Sequence, residues 1–508
     1  MSDVASAAAA PEQTLLGHPR GLVVLFFTEM WERMSYYGMR SLLVLYMVKY
    51  LFIQPDVGRR VMGFDALRHA LETTFGPLGT QPLSSQVYGL YTAFVYMTPF
   101  LGGMLADRLV GRRKAVIVGG ILMAIGHFMM AMENMFFLAL MFLILGNGCF
   151  KPNISTQVGK LYAPGDHRRD SAFLIFYVGI NVGAFIAPLI CGTLAANPHY
   201  GWHWGFAAAG VGMVLGLLVY SFNMKHLPPE PPPTASKSSP VLGVAAFIVG
   251  IPLAILALLF LLTLPRAVPL TLAVIAVGSA ILWIIRLPKD ERPRVMAIVM
   301  ACAVVAAFWA VYEQQGNTLQ LFADQNVRWP TVFGFKIPST WYQAFNPFMI
   351  IFFTPVLTSF WGWQATRGKE PSSLIKMAMG LLMVGLGFLV MIVASTGMAH
   401  DARRSLLWLV GSTAVFTLGE LYLSPIGLSF VTKVSPARIV SMMMGVWFLA
   451  NFIGNYMTGY LGTFYDKISH PQFFTMMLAI GVVASLVLFI MAGPLNRVIG
   501  KSDQGVQH

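Results

Sequence analysis

LVVLFFTEMWERMSYYGMRSLLVLY, residues 22–46, decides the architecture. It is as long as a membrane-spanning helix and mostly apolar, yet Glu29, Glu32, Arg33 and Arg40 sit in its middle. Each ionisable group at membrane depth costs at least about 2.5–3.5 kcal/mol, so such groups face a bundle interior or a water-filled cavity and mark function. At about 100° per residue, Glu29, Glu32, Arg33, Tyr36, Tyr37 and Arg40 share an arc of roughly 140°. Met30, Trp31, Met34, Leu42 and Leu43 take the other side. An ion-pair network that only locks helices together needs fewer groups than two acids, two bases and two tyrosines.

The rest of the chain agrees with a lipid solvent. Hydrophobic residues make up 56% of 508 and charged residues 11%, and the mean hydropathy is +0.68. A soluble domain carries about a quarter charged residues. Further apolar runs fall at about 84–106, 114–132, 134–157, 171–193 and 204–223, then at 241–264 and 267–286, then at 294–322, 341–361, 372–396, 403–431, 438–462 and 471–497. That makes about fourteen spans, arranged six, two, six, in an all-α polytopic membrane protein. The divisions are a tail of 1–19, a six-helix bundle of 20–223, a Pro-rich linker of 224–240, two extra helices within 241–286, a second bundle of 294–497 and a tail of 498–508. Outside the membrane only the connection of about 53–83 is long.

The net charge of +13 does not point to nucleic acid, because the basic residues cluster in short loops. With the N-terminus in the cytoplasm, Arg108, Arg112, Arg113, Lys114, Lys160, Arg168, Arg169, Arg286, Lys289, Arg367 and Lys369 fall inside, as the membrane charge bias requires. Both termini are then cytoplasmic and the chain is multi-pass in the cell inner membrane. Residues 1–19 lack the apolar core of a cleavable signal. Cys149, Cys191 and Cys302 lie in apolar segments and read as packed thiols. There is no metal-ligand cluster, nucleotide loop or placed nucleophile, so neither an enzyme nor ATP coupling is expected.

Charges recur at membrane depth in other spans. Lys151 sits in GNGCFKPN, residues 146–153, beside Pro152. Asn181 lies in FYVGINVG, residues 176–183; Trp309 and Glu313 lie in FWAVYEQQGN, residues 308–317; Asn346 precedes Pro347; Glu420 and Tyr422 lie in GELYLSP, residues 419–425. The first half thus supplies cations (Arg33, Arg40, Lys151) and the second half anions (Glu313, Glu420). A cavity between them suits a zwitterion with separated carboxylate and ammonium ends. Tyr36, Tyr37, Tyr96, Trp309 and Trp447 suit its apolar lining. Glu29 and Glu32, beside a base, suit proton coupling. By contrast 241–264 and 267–285 carry no charge and read as peripheral packing helices.

The stretch GGMLADRLVGRRK, residues 102–114, resembles the signature loop of the major facilitator superfamily. The residues resemble one branch of it closely, the proton-dependent oligopeptide transporters. Their E-x-x-E-R…Y-Y-G motif stands here as Glu29, Glu32, Arg33, Tyr36, Tyr37 and Gly38, and their F-Y-x-x-I-N-x-G as Phe176 to Gly183. The segments around Lys151 and Glu313 match as well. The resemblance implies the major facilitator fold, with two extra helices as in bacterial members, and a symporter that brings di- and tripeptides in with protons. It needs no cofactor and runs on the proton gradient. It implies that Glu29, Glu32 and Arg33 couple protons, and that Lys151 and Glu313 form a salt bridge which protonation or substrate breaks. It further implies that Arg33, Arg40 and Lys151 attract the peptide carboxylate, and that Asn181, Asn346 and Glu420 hold its amino group. Met34 departs from the usual Phe, and 84–106 lacks the histidine of animal relatives, so coupling should rest on carboxylates. The alternatives are a carrier of another small solute, such as nitrate or a drug, and a non-transporting receptor. The intact E-x-x-E-R favours peptides over nitrate.

Overall fold

The computed structural model describes residues 14–15, 17–163, 166–230, 240–265, 267–399 and 402–504. Most of the 1–19 tail, residues 231–239 of the Pro-rich linker and residues 505–508 lie outside them.

The described residues are mostly helical. In order come α1 (Arg20–Tyr46), α2 (Val57–Arg60), α3 (Phe64–Phe75), α4 (Thr80–Leu105), α5 (Arg112–Met129), α6 (Phe136–Lys160), α7 (Arg168–Ala196) and α8 (Gly201–Phe222). Then follow α9 (Pro240–Thr263), α10 (Ala267–Arg286), α11 (Arg292–Tyr312), α12 (Thr318–Gln325), α13 (Phe345–Thr366), α14 (Ser373–Ser395), α15 (Leu407–Val434), α16 (Val440–Gly462) and α17 (His470–Gln504). Eleven long apolar spans occur among the described residues. With α1, α5 and α16 they make the fourteen expected. Charge depresses the apolarity of α1, but its 27 residues still reach about 40 Å. Six two-residue strands form three small pairs at the helix ends.

Within the first half α1 packs on α7 and α8, α5 on α6, and α4 on α6; within the second, α14 packs on α15 and α17, and α11 on α16 and α17. The halves meet chiefly where α4 lies along α16 and α7 along α13. The α4–α16 approach depends on glycine: a Cβ on Gly89 would stand 2.6 Å from the Gly459 Cα. The three cysteines are free and buried. Helix α10 has no buried residue, and α9 packs chiefly against α3, α4 and α6. Both helices are peripheral, as their lack of charge suggests.

Three boundaries differ from the sequence expectation. The span expected at 294–322 is broken: α11 stops at Tyr312, a tight turn covers Glu313–Gly316, and α12 resumes at Thr318. The polar run EQQGN provides side chains that compete for backbone bonds and a glycine that fits where a side chain would not. The connection of 53–83 is not featureless. It holds α2 and α3, and Phe64, Ala70 and Leu71 of α3 are buried while Arg68, His69 and Glu72 are not. Gly76, at φ 78°, ends α3 in a conformation disfavoured for other residues. Last, α17 runs to Gln504, past the expected end at 497.

Candidate functional site: a cavity between two charge clusters

The polar face of α1 is sealed inside the protein. Glu29, Glu32 and Arg33 are 1%, 0% and 3% exposed. The Arg33 guanidinium donates to Glu32 through Nε and, at 2.6 Å, through Nη2, and its Nε lies 3.3 Å from Glu29 Oε1. Nη2 also reaches Asn147 Oδ1 at 3.4 Å, and Asn147 donates to the Val95 carbonyl at 2.9 Å. Thus α1, α4 and α6 are tied at one level. Glu29 Oε2 is buried and has no hydrogen-bond partner. Two carboxylates share one guanidinium, so one of them can take a proton without leaving a bare buried charge.

Two turns further along α1, Arg40 meets the second half. Its Nη2 donates to Glu313 Oε2 at 2.5 Å, its Nε donates to the Tyr88 hydroxyl at 3.0 Å, and that hydroxyl donates to Glu313 at 3.2 Å. The Lys151–Glu313 salt bridge implied by the resemblance is therefore not formed: Glu313 belongs to Arg40. The turn after Tyr312 sets Glu313 at the level of Arg40. A Cβ on Gly316 would stand 3.0 Å from Arg40 Nη2 and collide with the Tyr88 hydroxyl. Lys151 has no ion pair among the described residues; its Nζ sits 5.1 Å above the Tyr96 ring.

Between the two halves, beside the Arg40–Glu313 pair, lies a cavity of about 100 Å³. Tyr37, Arg40, Tyr96, Asn181, Trp309, Glu313, Asn346 and Glu420 line it, all of them singled out in the sequence. Glu420 accepts from Tyr312 at 2.5 Å and from Asn346 Nδ2 at 2.9 Å. Its side chain is oriented from both sides. Asn346 also donates to Thr417 at 3.1 Å, and Asn181 Nδ2 donates to the Tyr177 carbonyl at 2.9 Å. Tyr96 and Trp309 have ring centroids 5.5 Å apart, and the buried Trp309 Nε1 has no partner.

Glu29, Glu32, Arg33, Tyr36, Lys151 and Trp447 do not line this cavity. Tyr36 lies against the Arg33 guanidinium, 5.1 Å from ring centroid to Cζ, and Trp447 packs against Gly427 of α15. The sequence reading missed Tyr88, Tyr177, Tyr312, Gln315 and Gln343. Tyr312 and Gln315 flank Glu313, and Gln343 lies one turn before Asn346, so adjacency was the available signal. Tyr88 stands in an apolar run and gave none.

Among the described residues six side-chain hydrogen bonds join the halves, all on the side where α1 ends and α4 begins. Besides the two that Glu313 accepts, from Arg40 and from the Tyr88 hydroxyl, these are Lys49 to Asp324 at 2.8 Å, Gln81 to the Gly462 carbonyl at 3.1 Å, Ser85 to Asn317 at 2.9 Å and Trp341 to Thr193 at 3.1 Å. On the other side the contacts across the halves include apolar rings, Phe94 with Phe452 and Phe100 with Phe448. No cluster of potential metal ligands occurs among the described residues.

Comparison with known proteins bears on this arrangement. The family model described as PTR2, POT family, matches residues 113–477. An uncharacterized transporter of Bacillus subtilis, YclF, is 36% identical over 96% of this chain and 96% of its own. A di-/tripeptide transporter of Lactococcus lactis subsp. cremoris is 33% identical over 96% of this chain and 98% of its own. The crystal structure of a mutant peptide transporter POT in complex with alafosfalin superposes with a TM-score of 0.77 at 34% identity, covering 96% of this chain and 97% of that one. The chain belongs to the POT family, the proton-dependent oligopeptide transporters of the major facilitator superfamily.

Proposed function

We propose that this protein imports di- and tripeptides across the bacterial inner membrane in symport with protons, without a cofactor and without ATP. The observation that carries this reading is the split of charge in one cavity. Arg40 of the first half and Glu420 of the second both line it, one suited to a peptide carboxylate and the other to its ammonium. Aromatic walls from Tyr37, Tyr96 and Trp309 suit side chains of varied shape. Relatives named as di-/tripeptide and peptide transporters support the same substrate class.

The pair of Arg40 and Glu313 supplies a way to couple the two cargoes. A proton on Glu313, or a peptide carboxylate on Arg40, removes one partner of a buried ion pair, and an isolated buried charge is costly. Either event loosens the link between the halves. In this reading both termini are cytoplasmic, α1 ends outside, and the six cross-half hydrogen bonds close the outer side. Rocking of the halves about the cavity then alternates access. The substrate is carried unchanged, so the chemistry is binding and proton exchange, not catalysis. The test is uptake of labelled dialanine into proteoliposomes under an imposed inward proton gradient. Uptake above the level without a gradient is expected, and gradient-indifferent uptake refutes the coupling.

A further inference from the structure

The two charge clusters on α1 lie on one face but do not touch. Glu32 and Arg40 are eight residues apart, about 12 Å along the axis. Tyr36 stands midway, four residues from each. It is 4% exposed, and its hydroxyl has no hydrogen-bond partner. A second hydroxyl in the same condition comes from α4: Tyr91 is 3% exposed, and its oxygen is also without a partner.

Tyr91 stands at a boundary. It lines an apolar groove between α3, α4, α6 and α9, beside Leu90, Phe94 and Ile144. Yet it follows Tyr88 by three residues on α4, on the same side of that helix, and Tyr88 bonds both Arg40 and Glu313. A buried hydroxyl left unsatisfied costs about 1–3 kcal/mol. An internal water making two to four hydrogen bonds is the usual remedy where several polar groups converge. Oxygens spaced at hydrogen-bond distance, roughly 2.8 Å, would span a 12 Å gap in about four hops; Tyr36 stands midway along it and the Tyr88 hydroxyl at its Arg40 end.

We infer that the Tyr36 and Tyr91 hydroxyls hold internal water and relay protons between Glu32 and the Arg40–Tyr88–Glu313 cluster. The inference rests on the proton-coupled reading above. A proton leaves the Glu32 carboxyl for the first water. Each hydroxyl along the chain accepts one proton on its oxygen as it passes its own to the next oxygen. The last proton is taken by the Glu313 carboxylate, which becomes neutral and releases Arg40. Every O–H bond broken is matched by one formed, and no charge is left on a tyrosine. Tyr91 lies outside the peptide cavity, so its hydroxyl is free of a substrate role.

Tyr91→Phe tests the relay, because the ring that walls the apolar groove is retained. Three quantities are measured in proteoliposomes: gradient-driven dialanine uptake, counterflow exchange of dialanine, and the solvent deuterium isotope effect on uptake. Thermal unfolding checks the fold. Gradient-driven uptake should fall about tenfold or more, within the range ascribed to positioned proton-transfer groups. Counterflow should stay within about twofold, and the isotope effect on the remaining uptake should rise as proton movement becomes limiting. Tyr36→Phe should lower gradient-driven uptake as well. Unchanged gradient-driven uptake by Tyr91→Phe overturns the relay alone. Equal loss of uptake and counterflow also overturns it, since that pattern belongs to a packing role. Wild-type uptake indifferent to the gradient overturns the relay and the coupled reading together.

Discussion

Arg40 and Glu313 meet at 2.5 Å across the two halves of the molecule, with only 8% and 1% of their side chains exposed. A buried ion pair is weak evidence for stability, because desolvating two charges offsets most of their attraction. Its physical signature is asymmetry: losing one partner is far worse than losing both. That asymmetry makes the pair a suitable latch for a transporter.

Arg40→Ala should therefore destabilise the protein by about 3–5 kcal/mol, because Glu313 is left buried and unpaired. The double variant Arg40→Ala with Glu313→Gln should recover part of that loss. Both variants should fail in gradient-driven uptake. Thermal unfolding in detergent reads the first effect; a double variant less stable than the single one contradicts the latch.

The second prediction concerns Glu29 and Glu32, one turn apart and sharing Arg33. Changing either to Gln should remove gradient-driven uptake. Counterflow exchange of peptide should survive, since it requires no net proton movement. The comparison is initial rates in the two assays on one preparation. Full gradient-driven uptake by the double Gln variant would assign coupling elsewhere.

Much of this site was legible because helical periodicity places charges before any fold is known. The face from Glu29 to Arg40 follows from 100° per residue alone, and the structure buries all of it but Tyr37, which is half-buried against the cavity. Glu313, Glu420, Asn181 and Asn346 stood out because polar groups at membrane depth are rare. Partner choice was not legible. Whether Glu313 reaches Lys151 or Arg40 depends on where α11 breaks, and a one-residue change in that break rotates the carboxylate by about 100°. Tyr88 was invisible for a different reason: tyrosine is common in membrane helices, and only its contact with both Arg40 and Glu313 distinguishes it. Helix α3 was readable from Phe64, Leu67 and Leu71 at helical spacing, but its brevity let it pass as loop.

The third prediction separates the ends of the substrate. Glu420 is held by Tyr312 and Asn346, so Glu420→Gln should weaken a free-amine dipeptide by about tenfold, or 1.4 kcal/mol, and leave the already weak N-acetylated form nearly unchanged. Lys151→Ala should abolish gradient-driven uptake, and a C-terminally amidated dipeptide should compete poorly with its free acid in the wild type. Competition by the amide equal to that of the acid argues against a cationic clamp.

The last prediction concerns α9 and α10. Helix α10 has no buried residue, and among the described side chains of α9 only Phe247 and Ile251 are buried, where it meets α3, α4 and α6. Neither contributes a residue to the peptide cavity. Their removal should therefore leave the site intact, provided the join is made in the right place. The Glu230 carboxylate accepts from the backbone N–H groups of Arg112 and Arg113 at the start of α5, and Arg113 donates to the Leu227 and Pro228 carbonyls at 2.8 and 2.7 Å. Cutting before Glu230 would uncap α5, so a flexible polar linker should run from beyond Glu230 to Arg292. The loss of α9 also exposes the side of α3 that packs on it, which should lower expression. The value to measure is half-maximal inhibition of dipeptide uptake, normalised to folded protein. A well-folded deletion that shifts it by more than about tenfold, roughly 1.4 kcal/mol, would show that these helices shape the site after all.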